Sequence, residues 1–220
     1  MIKAIIFDLD GTLLYSLPDI HHALRVSFET YQLKPVSLEE TRQALGHGVS
    51  YLIDTLTKDN QEHIKPLIFD RYLSYYKNHA TIHSCPYDGI VDLLKYIKNS
   101  KLKIGVASNK GHLIVGRIVN HYFQDFIDAY RGDIEGKPKK PAPDMVYDVI
   151  KHLNVYPHEV LYIGDSEPDI LVSKHIGLKH IIVSYGYRNK ETLLKIEPEC
   201  IVDTVEQLTH EIVRIIHGSD

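Results

Sequence analysis

Four short stretches of this chain are apolar on consecutive residues: Ala4 to Phe7, Ile104 to Ala107, Val160 to Ile163 and Ile181 to Val183. A strand with one face in water alternates polar and apolar positions. An unbroken apolar run therefore suits a strand covered on both sides, as in a parallel sheet packed between helices. Helix-period segments separate the runs. Ile90, Leu94 and Ile97 precede the second, Met145, Val149 and Leu153 precede the third, and Val205, Leu208, Ile212 and Ile215 close the chain. This alternation predicts an α/β fold with a doubly wound parallel sheet.

From about Ser16 to His83 the alternation stops. Only helical patterns occur there, over His21 to Tyr31, Leu38 to Leu45, Val49 to Leu56 and His63 to His79, with turns marked by Pro35 and by Gly46 and Gly48. An all-helical block directly after the first strand predicts a cap inserted above the carboxyl edge of the sheet, where α/β sheets bind ligands. The expected division is residues 1–15 and 84–220 for the core and 16–83 for the helical cap. A chain of 220 residues, 44% hydrophobic and 25% charged, has room for both. Its charge of -4 and its scattered lysines and arginines carry no nucleic-acid footprint, so a small polar partner is expected, bound by a monomer or homodimer. Cys85 and Cys200 suit neither a CxxC metal site nor a disulfide framework. The apolar run before Asp8 is too short for a signal peptide or a membrane span, which points to the cytoplasm and away from a membrane partner.

The first apolar run ends in Asp8-Leu9-Asp10-Gly11-Thr12. Side chains alternate along an extended backbone, so Asp8 and Asp10 leave on the same side and crowd two carboxylates into one space. Such crowding calls for a metal ion, a shared proton or both. Gly11 permits a sharp turn and close approach to a ligand, and Thr12 adds a hydroxyl and an amide for an oxyanion. Asp-Gly alone is also an ordinary turn signal.

Three further clusters follow the later strands. Ser108-Asn109-Lys110-Gly111 offers a hydroxyl and free amides ahead of a helix near His112, as a phosphate site or as a helix cap. Lys137, Lys139 and Lys140 lie on a proline-stiffened loop, either solvated or with one lysine turned inward. Gly164-Asp165 ends the third run, with Asp169 one helical turn on, so Asp165 is expected to face Asp8 across the sheet edge. Each cluster has a bland alternative, but all four occupy carboxyl ends of predicted parallel strands or the loops leading from them. Together they supply acids for a cation and donors for an anion, the makings of a magnesium and phosphate site.

These residues resemble the haloacid dehalogenase superfamily of aspartyl-phosphate hydrolases. That family carries DxDGT, then a Ser or Thr after the second core strand, then a Lys, then GDxxxD, matched here by Asp8 to Thr12, Ser108, Lys140 and Gly164 to Asp169. The spacing from Lys140-Pro141 to Asp165 selects Lys140 over Lys137. Within the superfamily the chain is most similar to phosphoglycolate phosphatases with a helical cap. Gly46-His47-Gly48, Phe69 to Tyr72, Leu102 to Lys110 and Ser184 to Tyr187 carry that likeness. It departs at Tyr15-Ser16, where relatives often have Asp-Ser, a difference that bears on the cap hinge and on substrate identity.

The resemblance implies Asp8 as nucleophile, Asp10 as acid and base, Lys140 as a catalytic residue between Asp8 and the phosphate, and Mg2+ held by Asp8, Asp10 through its backbone carbonyl, Asp165 and Asp169. It implies phosphate contacts from Gly11, Thr12, Ser108, Asn109 and Lys140, and His47 reaching from the cap toward the substrate. The activity implied is a magnesium-dependent phosphatase for a small phosphorylated metabolite such as phosphoglycolate. A sugar phosphomutase of the β-phosphoglucomutase type, a pyrophosphatase and a non-enzymatic phospho-receiver share parts of the same motif set. The 14 histidines include no HxH or HExxH pattern, and the 15 tyrosines read mainly as packing, with Tyr185 and Tyr187 near the sheet edge.

Overall fold

The computed structural model describes residues 1–57 and 59–218, with side chains undescribed at 59–61; residue 58 of the expected cap and 219–220 of the expected core lie outside it. Strand β1 (Ala4–Phe7) is followed by a two-residue β2 (Leu14–Tyr15) and then by helices α1 (Leu17–Thr30), α2 (Leu38–Gln43), α3 (Val49–Leu56) and α4 (Lys65–His79), a 3-10 segment Asp59–Ile64 leading into α4. Next come β3 (Cys85–Pro86), α5 (Ile90–Asn99), β4 (Lys103–Gly111), α6 (His112–Ile118) and β5 (Ala129–Asp133). The remainder alternates: α7 (Asp144–Leu153), β6 (Val160–Gly164), α8 (Glu167–Ile176), β7 (Lys179–Val183), α9 (Lys190–Leu194), β8 (Ile201–Val202) and α10 (Val205–His217).

Six strands form one sheet in the order β5-β4-β1-β6-β7-β8, with every pairing parallel. β1 lies inside this sheet, between β4 and β6. Its residues alternate between two cores: Ile5 and Phe7 pack on one face with α5 and the cap helices, and Ala4 and Ile6 on the other with Met145, Val146 and Val149 of α7. Both faces are dry, which is why the run is apolar throughout. Ile5, Ile6 and Phe7 each contribute about 1.5–3 kcal/mol on burial. The sheet and its helical cap match the expected architecture.

The cap helices α1 to α4 leave the core through β2 and return through β3, which pair antiparallel, Leu14 opposite Pro86 and Tyr15 opposite Cys85. Tyr15 packs edge-on against Tyr87 (ring centroids 6.0 Å), and Tyr87 against Tyr185 (4.9 Å). Next to this crossing the Asp19 carboxylate, 2% exposed, accepts hydrogen bonds from the amides of Ile82, His83 and Ser84 and from the Ser84 hydroxyl.

Some boundaries differ from the sequence expectation. α1 begins at Leu17, four residues before His21, because Pro18 sits comfortably in a first helical turn. α2 ends at Gln43, since Ala44 to Gly48 forms a loop whose Leu45 and Gly46 carbonyls are bonded to the core. The backbone of β4 stays extended to Gly111, with a register shift between Ser108 and Gly111. The edge strands β5 and β8 were not expected: Ala-Tyr-Arg-Gly-Asp is partly exposed, and a two-residue pairing leaves no periodicity. Among the described residues no helix is long and apolar enough to cross a membrane.

Candidate active site

Parallel register brings the motifs together. Phe7 pairs with Val106 on one side and Ile163 on the other, so the residues just beyond, Asp8, Ala107-Ser108 and Gly164-Asp165, emerge side by side at one edge. The Asp8 amide still donates to the Ile163 carbonyl at 2.8 Å, which fixes its backbone to the sheet. Asp169 comes from the first turn of α8. There Ser166 is the N-cap, and Asp169 Oδ2 accepts from the Ser166 amide at 3.1 Å and its hydroxyl at 2.5 Å, a capping box.

Carboxylate oxygens of Asp8, Asp165 and Asp169 lie within 4.8 Å of one another, and all three residues are buried. One ammonium answers two of them. Lys140 Nζ donates to Asp8 Oδ1 (2.7 Å), Asp169 Oδ1 (2.8 Å) and the Ala107 carbonyl (2.7 Å), with the Tyr162 hydroxyl at 3.1 Å. Burial pushes the Asp8 carboxyl up to about 6 against the pull of Lys140. Burial, then the charges of Asp8 and Asp169, raise Asp165 well above the carboxylate range. Burial works against the Lys140 ammonium, yet the charges of Asp169 and Asp8 outweigh it and raise Lys140 well above the usual lysine range.

This excess of buried oxygen charge fits a hard divalent cation. The chain closes tightly on one of these acids: a Cβ at Gly11 or at Gly186 would run into the Asp165 carboxylate. Asp165 is further steadied by the Tyr187 amide on Oδ2 (2.8 Å) and the Thr12 hydroxyl on Oδ1 (3.4 Å). Asp169 has both oxygens engaged by protein donors, so its place is behind the cluster, holding Lys140.

Asp10 stands apart from those acids. Both its oxygens are held by Lys110 Nζ, at 2.9 and 2.7 Å, and Lys110, its side chain 6% exposed, lies over the Tyr76 ring at 4.8 Å. Asn109 points elsewhere. Its Oδ1 accepts from the Lys140 amide (2.9 Å) and its Nδ2 donates to the carbonyls of Lys140 (3.0 Å) and Gly46 (3.1 Å), so its side chain braces the lysine loop and the cap. The Ser108 hydroxyl accepts from the Lys110 amide at 3.3 Å.

The family described as haloacid dehalogenase-like hydrolase matches residues 5–183. The chain belongs to that family. Among its relatives, a phosphoglycolate phosphatase of Thiobacillus denitrificans is 30% identical over 216 residues, covering 94% of this chain and 93% of that protein. Phosphoglycolate phosphatase 1 of Pseudomonas aeruginosa is 27% identical, covering 94% and 78%. The crystal structure of a candidate phosphoglycolate phosphatase from Lactobacillus delbrueckii subsp. bulgaricus superposes with a TM-score of 0.85 at 30% identity, over 96% of this chain and 98% of that one. Within its family this hydrolase is therefore phosphoglycolate phosphatase-like.

In this dehalogenase-like hydrolase, a cleft between core and cap has Asp8, Asp10, Ser108, Asn109 and Lys110 on the core side. Gly46 and Gly48 line it from the cap, but His47 between them does not; its ring packs on Tyr51 with centroids 4.6 Å apart, and burial and Arg188 hold it below the usual imidazole range. Sequence reasoning passed over Lys110, although it follows Ser108-Asn109 directly, because the three lysines near Pro141 drew the assignment. It also passed over Arg188, which donates to the carbonyls of Gln43 and Leu45 and to Glu167 and so ties the cap loop to the core.

Proposed function

We propose that this hydrolase is a magnesium-dependent phosphatase that cleaves a small phosphate monoester of the phosphoglycolate type through an aspartyl phosphate on Asp8. The observation that carries this reading is the single buried lysine shared by Asp8 and Asp169. It orients one oxygen of Asp8 and leaves the other for phosphorus. Names of the similar proteins support the substrate type. Residues 1–15 and 84–220 act as the catalytic core and 16–83 as the cap.

Asp8 attacks in line with the departing oxygen, dividing one hard displacement into two easier ones. Lys140 draws charge from the approach of carboxylate to phosphate. The Ser108 hydroxyl and the amides of the Gly11-Thr12 turn and the Ser108-Asn109 segment take the remaining oxygens. Asp10 protonates the leaving oxygen and afterwards takes a proton from the water that opens the acyl phosphate. Asp8, the Asp10 carbonyl and Asp165 would hold Mg2+, which supplies charge neutralisation at the phosphoryl oxygens.

A panel of phosphate monoesters, with phosphoglycolate, pyrophosphate and sugar phosphates, assayed with Mg2+ and with chelator, tests the reading. Steady phosphate release that needs Mg2+ and prefers phosphoglycolate is expected. Isomerisation of a sugar phosphate without phosphate release would establish a mutase instead.

A further inference from the structure

Two lysines reach the site, and they are bound differently. Lys140 has four oxygen neighbours for its three N–H groups. Lys110 has only the two oxygens of Asp10, and its third N–H meets no hydrogen-bond acceptor among the described residues. Lys110 also lines the cleft, which Lys140 does not, and it is the one cationic side chain among the described residues that do.

The rest of the cap side is mostly apolar, with Ile20, Leu45, Val49, Leu52 and the rings of Tyr72 and Tyr76, the Tyr76 hydroxyl being buried without a hydrogen-bond partner among the described residues. A polyol in this place would lay most of its hydroxyls against hydrocarbon, more of them than the tyrosine hydroxyls could pair. A leaving group that suits the cleft is short and bears one anion. The position of the anion follows from Asp10. The oxygen that Asp10 protonates lies one hydrogen bond from its carboxyl group, and Lys110 lies one hydrogen bond away too, within 2.9 Å of either oxygen. Ester oxygen and lysine are thus neighbours of the same small group, and only an anion a few bonds from the ester oxygen can touch Lys110 while that oxygen touches Asp10.

Resting on the phosphatase reading above, we infer that Lys110 is a specificity-determining residue that receives a carboxylate carried one carbon from the ester oxygen, so that the site selects phosphate esters of 2-hydroxy acids. Its open N–H takes the carboxylate first, and the contact with Asp10 loosens as the new ion pair forms. Asp10 is thereby freed to face the leaving oxygen when the right leaving group is bound. A neutral leaving group provides no such exchange.

The test compares kcat/KM for phosphoglycolate, its methyl ester and ethyl phosphate in the wild-type protein and in Lys110→Arg and Lys110→Met. The wild type is expected to prefer phosphoglycolate to both neutral esters by at least about 10- to 100-fold, the worth of one charge-assisted hydrogen bond. Lys110→Met should erase most of that preference, mainly through KM for phosphoglycolate, and Lys110→Arg should keep part of it. Equal losses on charged and neutral esters in Lys110→Met would overturn the inference and reduce Lys110 to a support for Asp10. Should Lys110→Met not fold, the wild-type comparison alone decides, because equal rates on phosphoglycolate and its methyl ester overturn the inference without any variant. A wild-type protein that cleaves no monoester fells the phosphatase reading and this inference together, an outcome distinct from unselective cleavage.

Discussion

The protein buries carboxylates in two places and treats them in opposite ways. At the hinge, Asp19 receives three backbone amides and one hydroxyl, all neutral donors, and its charge is absorbed by hydrogen bonds that also tie Ile82 to Ser84 onto α1. At the sheet edge, Asp8 and Asp169 share one ammonium with Asp165 crowded beside them, and Asp8 and Asp165 are raised out of the carboxylate range by burial. A satisfied buried acid stabilises a fold; a crowded set stores the electrostatic demand on which chemistry runs.

The widest separation between the two places is expected from Asp8→Asn. Turnover of phosphate monoesters should fall by several orders of magnitude, while thermal denaturation in chelator shows stability held or raised by the lost repulsion. Normal turnover in this variant would remove Asp8 as nucleophile. Next in size, Lys140→Met leaves Asp8 and Asp169 facing each other without a cation and should cost about 3–5 kcal/mol in denaturant unfolding, as breaking a buried ion pair does.

Metal and pH sharpen the contrast. Asp8 holds its proton more tightly folded, at about 6, than unfolded near 3.8. Unfolding therefore releases a proton between those values, so stability of the chelated protein should fall as pH rises from about 4 to about 6, with Asp165 extending the loss upward. Mg2+ at about 100 times its dissociation constant should return about 2.7 kcal/mol at neutral pH. A melting temperature indifferent to both pH and Mg2+ would break the comparison from the active-site side.

Asp19→Asn attacks it from the other side. Swapping an acceptor for an amide that faces three N–H groups should cost about 1–3 kcal/mol while kcat and KM change by no more than a few fold. A large loss of activity at unchanged stability would show that the hinge acid takes part in chemistry. The smallest effect is expected from Arg188→Ala, about 0.5–1.5 kcal/mol, read as faster amide exchange in the loop from Ala44 to Gly48.

Much of this was legible in the chain. Consecutive apolar residues are forced by a sheet with two dry faces, so β1, β4, β6 and β7 were readable from the sequence, and the acids that end β1 and β6 came with them. The edge strands β5 and β8 leave no such trace. Asp19 carries no motif, because its partners are backbone amides that any sequence supplies. The side chain of Asn109 looked like a phosphate ligand and is instead bonded to Lys140 and Gly46, a role set by loops that meet only in three dimensions. Lys110 was hidden because its pairing with Asp10 is set by the fold, while Lys140 already filled the place of the motif lysine.

Tyr187 joins the two places that the comparison separates. Its amide holds Asp165, while its hydroxyl takes up the amides of Ser16 and Leu17 at the start of α1. Tyr187 is thus a strut with a foot in each region: the chain at the start of α1 and the acid at the sheet edge rest on a single residue, and a displacement at Ser16 has a direct mechanical route to Asp165.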